Sequence, residues 1–200
     1  TQVQALPPEI LREVDHFFHL VFDKIFRAGG ERADTLAALF LFLKKEGVLK
    51  KLEDGRQPLT HIMQLSPAFN EAKGDDQVHE VFHALADKLD MLGGPLLNGL
   101  VHLFNNLPET FFGEYYPALV NRLLTIIARG RGKFSAGFDQ PLELTELMLA
   151  IAEVPKAGSV YNPYAGLASI GALLQGDAQY YGQETNSETW ALGMIRLRAY

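Results

Sequence analysis

Two groups of residues have side chains whose types and spacing suit chemistry. The first pairs the run Asn162-Pro163-Tyr164-Ala165-Gly166-Leu167-Ala168-Ser169 with the run Gly182-Gln183-Glu184-Thr185-Asn186. Small residues in the first run let backbone approach a ligand closely, and a helix following them offers free N–H groups. Glu184 stands 18 residues after Gly166. An acidic side chain just past a second strand, about 20 residues beyond a glycine turn, is suited to accept hydrogen bonds from both hydroxyls of a ribose. The full glycine fingerprint is lacking, so the spacing alone also fits a plain strand–helix–strand unit with a surface glutamate. The second group is His79-Glu80-Val81-Phe82-His83, which matches H-E-x-x-H. On a helix its histidines lie one turn apart, spaced to share a zinc ion, with Glu80 as general base of a metallopeptidase.

The zinc chemistry needs a third protein ligand. Asp87 continues the same stripe, and His102 and Glu114 are downstream candidates. The competing reading makes Val78, Val81, Phe82 and Leu85 a buried face, with both histidines at its edge. His16 and His19, also one turn apart, read as surface or interface residues. Between Glu114 and Asp139 there is no acidic residue, while Arg122, Arg129, Arg131 and Lys133 fall there. Such cations offset a helix dipole; alternatively Arg129, Arg131 and Lys133 contact a phosphate backbone.

The elements that must position these groups follow from periodicity. Ile10, Val14, Phe17, Phe18, Val21 and Ile25 recur at helical steps after Pro7 and Pro8, with Gly29 and Gly30 as the stop. A second helix runs through Leu36, Leu39, Phe40 and Leu43 into a lysine cluster. Residues 53–76 have loop chemistry. A third helix carries Val78 to Leu89 and ends at Gly93-Gly94; Pro95–Leu107 and Glu114–Ala128 give two more. After a glycine-rich stretch, Pro141 opens a helix with Leu144, Leu147, Met148 and Ile151 on one face. Then come a strand at Ser159–Tyr161, a helix at Ile170–Leu174, a strand at Gln179–Gly182 and a helix capped by Ser187. This order points to parallel α/β structure. The expectation is a mainly α chain: a helical bundle over 1–131, followed over 132–200 by the first βαβ unit of a Rossmann-like domain. A two-stranded sheet of this kind would leave an apolar edge open, a motive for homo-oligomers.

Composition limits the function classes. The 200 residues are 48% apolar and 21% charged, as in ordinary globular domains. With no cysteine, disulfides, iron–sulfur sites and thiolate catalysis are excluded. The longest apolar run, Leu36–Leu43, falls far short of the roughly 20 residues of a membrane span, and no signal pattern opens the chain. A cytoplasmic protein with no membrane partner is expected. The net charge of −6 argues against a stand-alone duplex-binding module. Thr1 is not a methionine and Tyr200 falls within a helical pattern, so the chain is expected to be part of a longer protein.

The Val160-Tyr161-Asn162-Pro163 to Ser169 segment, followed by Tyr181-Gly182-Gln183-Glu184-Thr185-Asn186-Ser187-Glu188-Thr189-Trp190-Ala191-Leu192, resembles the S-adenosylmethionine site of adenine-N6 DNA methyltransferases. It is most similar to the modification subunit of type I restriction–modification systems. That family has an Asp-Pro-x-x-Gly-x-Gly turn after the first strand and a Gly-Gln-Glu-x-Asn run after the second. Phe138-Asp139-Gln140-Pro141 resembles its Phe-Tyr-Thr-Pro element. The resemblance implies a Rossmann-like fold and S-adenosylmethionine as cofactor. Glu184 would hold the ribose; Asn162, Pro163, Ala165, Gly166 and Ala168 would wrap the methionine end; Gln140 and Pro141 would close over it, and Asn186 would complete the second run. DNA, a specificity subunit and a restriction subunit are the implied partners. Asn162 stands where the family has Asp, and Ala168 and Ser169 replace glycines. The family's Asn/Asp-Pro-Pro-aromatic catalytic loop, which stacks a flipped base, does not occur in these 200 residues. The chain alone is therefore expected to be inactive. The alternative is a non-catalytic helical interaction or DNA-binding module with a degenerate cofactor pocket.

Overall fold

The computed structural model describes residues 5–27, 33–49, 76–89, 92–130, 140–154 and 156–200. Helix α1 (Pro8–Arg27) buries Val14, Phe18, Val21, Phe22 and Ile25, a stripe spaced three and four residues apart. Helix α2 (Leu36–Lys45) does more than its sequence pattern implies. All eight residues from Leu36 to Leu43 are buried. A helix that is apolar on every side belongs at the centre, and five other helices pack on this one. At its exit the two lysines keep their charged ends in polar company. Lys44 Nζ donates to Glu109 at 2.7 Å and to the Asn105 carbonyl at 3.2 Å. Lys45 Nζ donates to the Phe112 carbonyl at 2.7 Å. These bonds pin the 3-10 turn Glu109–Phe112.

Helices α3 (Asp76–Ala86), α4 (Gly94–Asn105) and α5 (Tyr116–Gly130) complete the helical wrapping. The stop of α3 is at Ala86, not at Gly93-Gly94. Those glycines start α4 instead: Gly93 is its extended N-cap, and Pro95 sits in the first turn, where a missing N–H is harmless. Arg122 on α5 forks onto both oxygens of Asp15 on α1, at 2.7 and 2.8 Å, a planar match that fixes their relative register.

Helix α6 (Leu142–Ile151), strand β1 (Ala157–Asn162), helix α7 (Ser169–Leu173), strand β2 (Asp177–Gly182) and helix α8 (Ser187–Ala199) follow. The strands pair in parallel, from Ala157 opposite Asp177 to Asn162 opposite Gly182. The described residues are thus mainly helical, with one small parallel two-stranded sheet. The cap of α8 is Asn186 rather than Ser187. Its side chain accepts the Thr189 N–H at 2.8 Å, the N3 donor that a cap three residues earlier can reach.

A single buried cluster runs from Val14 through Ile127 to Leu167, Ala191, Leu192 and Ile195, so it reaches both sides of residue 131. Helix α8 carries that continuity, packing on α3 and α5. Polar ties reinforce it. Lys88 Nζ reaches Glu188 on α8 and Thr35 Oγ1 beside α2. Arg198 pairs with Glu46 at 3.3 Å. The buried Arg196 donates to the Leu167 carbonyl at 3.1 Å and to Ser169 Oγ at 2.6 Å, anchoring α8 to the start of α7. Helix α6 differs. Its apolar row forms as expected but faces outward, with Ile151 at 73% exposure and Thr145 as the helix's one buried residue. No described helix is long and apolar enough to cross a membrane.

Two outcomes test this packing. The Tyr116 hydroxyl is buried and meets no hydrogen-bond partner among the described residues, and burial first, then Glu46, pushes its pKa above the usual tyrosine value. The folded state therefore favours the neutral phenol. Its contribution is intact below about pH 10, the unfolded value, and is lost as pH rises beyond that. Tyr116→Phe should stabilise the protein by about 1 kcal/mol and flatten the alkaline decline in urea midpoints. A destabilised variant would show that the hydroxyl is satisfied. Lys88→Met should cost about 1–3 kcal/mol, since it strips a charged donor from both Glu188 and Thr35; unchanged urea midpoints would show that these bonds do not hold α8 in place.

Candidate functional site

The two strand ends are locked together by backbone. The Gln183 N–H donates to the Asn162 carbonyl and the Gln183 carbonyl accepts from Ala165 N, both at 2.9 Å. This exchange holds the bend after β1 against the segment after β2. Within the bend, Asn162 Oδ1 accepts the Tyr164 N–H at 3.0 Å, an Asx turn that reverses the chain over Pro163. Gly166 and Ala168 both have positive φ, +53° and +56°. For Gly166 this is free; for Ala168 it is strained. Helix α8 presses on the bend at Gly193, where a Cβ would meet the Gly166 carbonyl at 3.1 Å.

Glu184 lies at the meeting point. One carboxylate oxygen accepts the Gly166 N–H at 3.2 Å and the other accepts the Asn186 N–H at 2.8 Å. An ionised carboxylate offers about four lone-pair positions, so each oxygen retains acceptor capacity. The side chain borders a cavity of 320 Å³, at the small end of the usual range for ligand sites. Ala165, Gly166 and Ala168 line it from the bend, and Tyr180, Tyr181 and Gly182 from β2. Trp190, Gly193, Met194 and Leu197 line it from α8, and Gln77 from α3. Tyr180 fits there because Gly171 and Gly182 lack side chains; a Cβ at either would approach its ring to 2.6 or 2.8 Å. Burial raises the Tyr180 pKa and a hydrogen bond from Asn162 opposes that rise.

Of the residues singled out from the sequence, Glu184, Ala165, Gly166 and Ala168 share this cavity. Asn162 and Asn186 are not among its lining residues; Asn162 bonds the bend at Tyr164, and the Asn186 N–H bonds Glu184. Pro163, Gln140 and Pro141 are not among its lining residues. Gln140 Nε2 bonds Thr145 Oγ1 at 3.1 Å, reaching into the adjoining α6, and Pro141 is the N-cap of α6. Gln77, Tyr181, Trp190 and Met194 were not assigned to the site from sequence. The Trp190, Met194, Leu197 stripe is visible in the sequence, but nothing in it tells which surface the stripe faces. Arg129 lies in the last turn of α5; Arg131, Lys133, Phe138 and Asp139 lie outside the described residues.

The histidine pair is brought together, with no third ligand grouped beside it among the described residues. His79 and His83 stack edge to face, 4.1 Å between ring centres, while Val78, Val81, Phe82 and Leu85 are buried as the competing reading expects. His102 instead bonds Asn106 at 3.0 Å. Among the described residues no three His, Asp or Glu side chains are grouped to hold a metal ion.

Ala168→Gly should stabilise the protein by up to about 1 kcal/mol by relieving the left-handed strain, whereas Gly193→Ala should destabilise it by forcing α8 off the bend. Urea midpoints decide both; a marked loss in Ala168→Gly would contradict the strained conformation. No protein-family model, no curated protein and no solved structure gives a significant match to the chain.

Proposed function

We propose that the chain forms the N-terminal part of an adenine-N6 DNA methyltransferase of the type I modification-subunit kind, with the cavity beside Glu184 as its S-adenosylmethionine site. One observation carries this reading: the Glu184 carboxylate sits against the Gly166 N–H and borders a cavity lined by the same bend. A sugar's vicinal hydroxyls find there an acceptor whose position is preset by two backbone donors. The fit is supported by the retained acceptor capacity of Glu184 and by the small residues Ala165 and Gly166 that line the cavity from the bend. When bound, S-adenosylmethionine supplies an electrophilic methyl group. The chain's own share is positional. Glu184 orients the ribose, the bend offers a surface of small residues, and Trp190 and Met194 keep water from one side. DNA and the specificity and restriction subunits are the proposed partners, with Arg129, Arg131 and Lys133 on the DNA side. Cytoplasmic residence and the Rossmann-like continuation of the sheet belong to the same proposal.

A second reading has its own support. Asn162 stands where an acid would hold the cofactor's ammonium group, and its Oδ1 is engaged by the Tyr164 N–H. Ala168 takes a strained conformation where the family has glycine. Both favour a helical interaction module whose pocket has lost its ligand.

Isothermal titration separates the two. The first reading expects S-adenosylmethionine to bind, and Glu184→Ala to weaken it by about tenfold or more, the order of a lost hydrogen bond to a charged group. No binding to the unaltered protein, or equal binding to Glu184→Ala, would sink the cofactor assignment and leave the interaction module.

A further inference from the structure

One wall of the cavity belongs to the N-terminal helical region. Gln77, in the first turn of α3, is exposed and lines the cavity with Glu184, Trp190, Met194 and Leu197. Its placement is held by structure beyond its own turn. Helix α3 packs along α8, Val78 beside it is buried, and Lys88, just past the end of α3, grips Glu188 in the first turn of α8. The cavity therefore offers three kinds of surface: the carboxylate at the bend, aromatic and apolar side chains along α8, and the carboxamide of Gln77 from α3.

Resting on the assignment of a nucleoside to this cavity, we propose that Gln77 is the adenine-reading residue, so that the helical region contributes directly to ligand choice. A carboxamide presents one donor and one acceptor in a plane. That pair matches the 6-amino group of adenine together with an adjacent ring nitrogen, the bidentate geometry by which Gln and Asn select adenine elsewhere. Trp190 and Met194 give the flat base an apolar surface, and Glu184 takes the sugar. No other carboxamide lines the cavity among the described residues.

The test is a two-by-two titration with S-adenosylhomocysteine and its 6-desamino analogue, against the unaltered chain and Gln77→Ala. Because Gln77 is exposed, the substitution leaves the core intact, and thermal melts check this. The unaltered chain should prefer the 6-amino ligand by about tenfold, the order expected of one bidentate base contact, and Gln77→Ala should bind both ligands equally. If S-adenosylhomocysteine binds and the preference persists in Gln77→Ala, the assignment of Gln77 is overturned while the nucleoside site stands. If neither ligand binds the unaltered chain, the nucleoside site itself is overturned, and Gln77 with it.

Discussion

The structure depends on a helix with no solvent face. Leu36 to Leu43 is buried on every side, and a cylinder of apolar side chains must be covered all round or not form at all. α1, α4 and the α5 region cover part of it; α3 and α8 cover the rest. Because α8 both helps enclose α2 and borders the cavity, the site is built on the core rather than attached to it. The dense packing of protein interiors transmits small displacements, so the position of the bend after β1 is set by how well the helices close around α2.

That arrangement explains why the cavity has walls from distant parts of the sequence. The bend and the β2 end are joined locally, through the Gln183 exchange with Asn162 and Ala165. The α8 wall is set by glycine: Gly193 admits the bend, and Gly171 admits the Tyr180 ring. The α3 wall follows from α3 packing along α8. Local backbone chemistry builds the half of the site nearest Glu184, and helix packing builds the other half.

Much of this was legible in the residues and some was not, for reasons that differ by residue. The α1 stripe, the parallel strand pair and the approach of Glu184 to the glycine bend follow from period and spacing, which report local geometry. The Gly93-Gly94 pair reads equally well as a helix stop or as the loop before a Pro95 start; only the packing that ends α3 at Ala86 decides. Asn186 and Ser187 are both good caps, and the hydrogen bond goes to the one placed three residues before Thr189. The apolar row of α6 lies on one side of its helix, as its period implies, yet it faces outward, because periodicity defines a face without saying what meets it. Gln77 carries no signal at all in the sequence: a glutamine at a helix start gains meaning only from what packs opposite.

The buried α2 also bears on biosynthesis. Its apolar segment is synthesised before α8, whose Arg198, paired with Glu46 just past the helix, follows 152 residues later. At about 5–20 residues per second of synthesis, the segment waits roughly 8–30 s for α8 to cover its side of it. During that interval the apolar side that α8 later takes is open, and a chaperone would have that long to act on it.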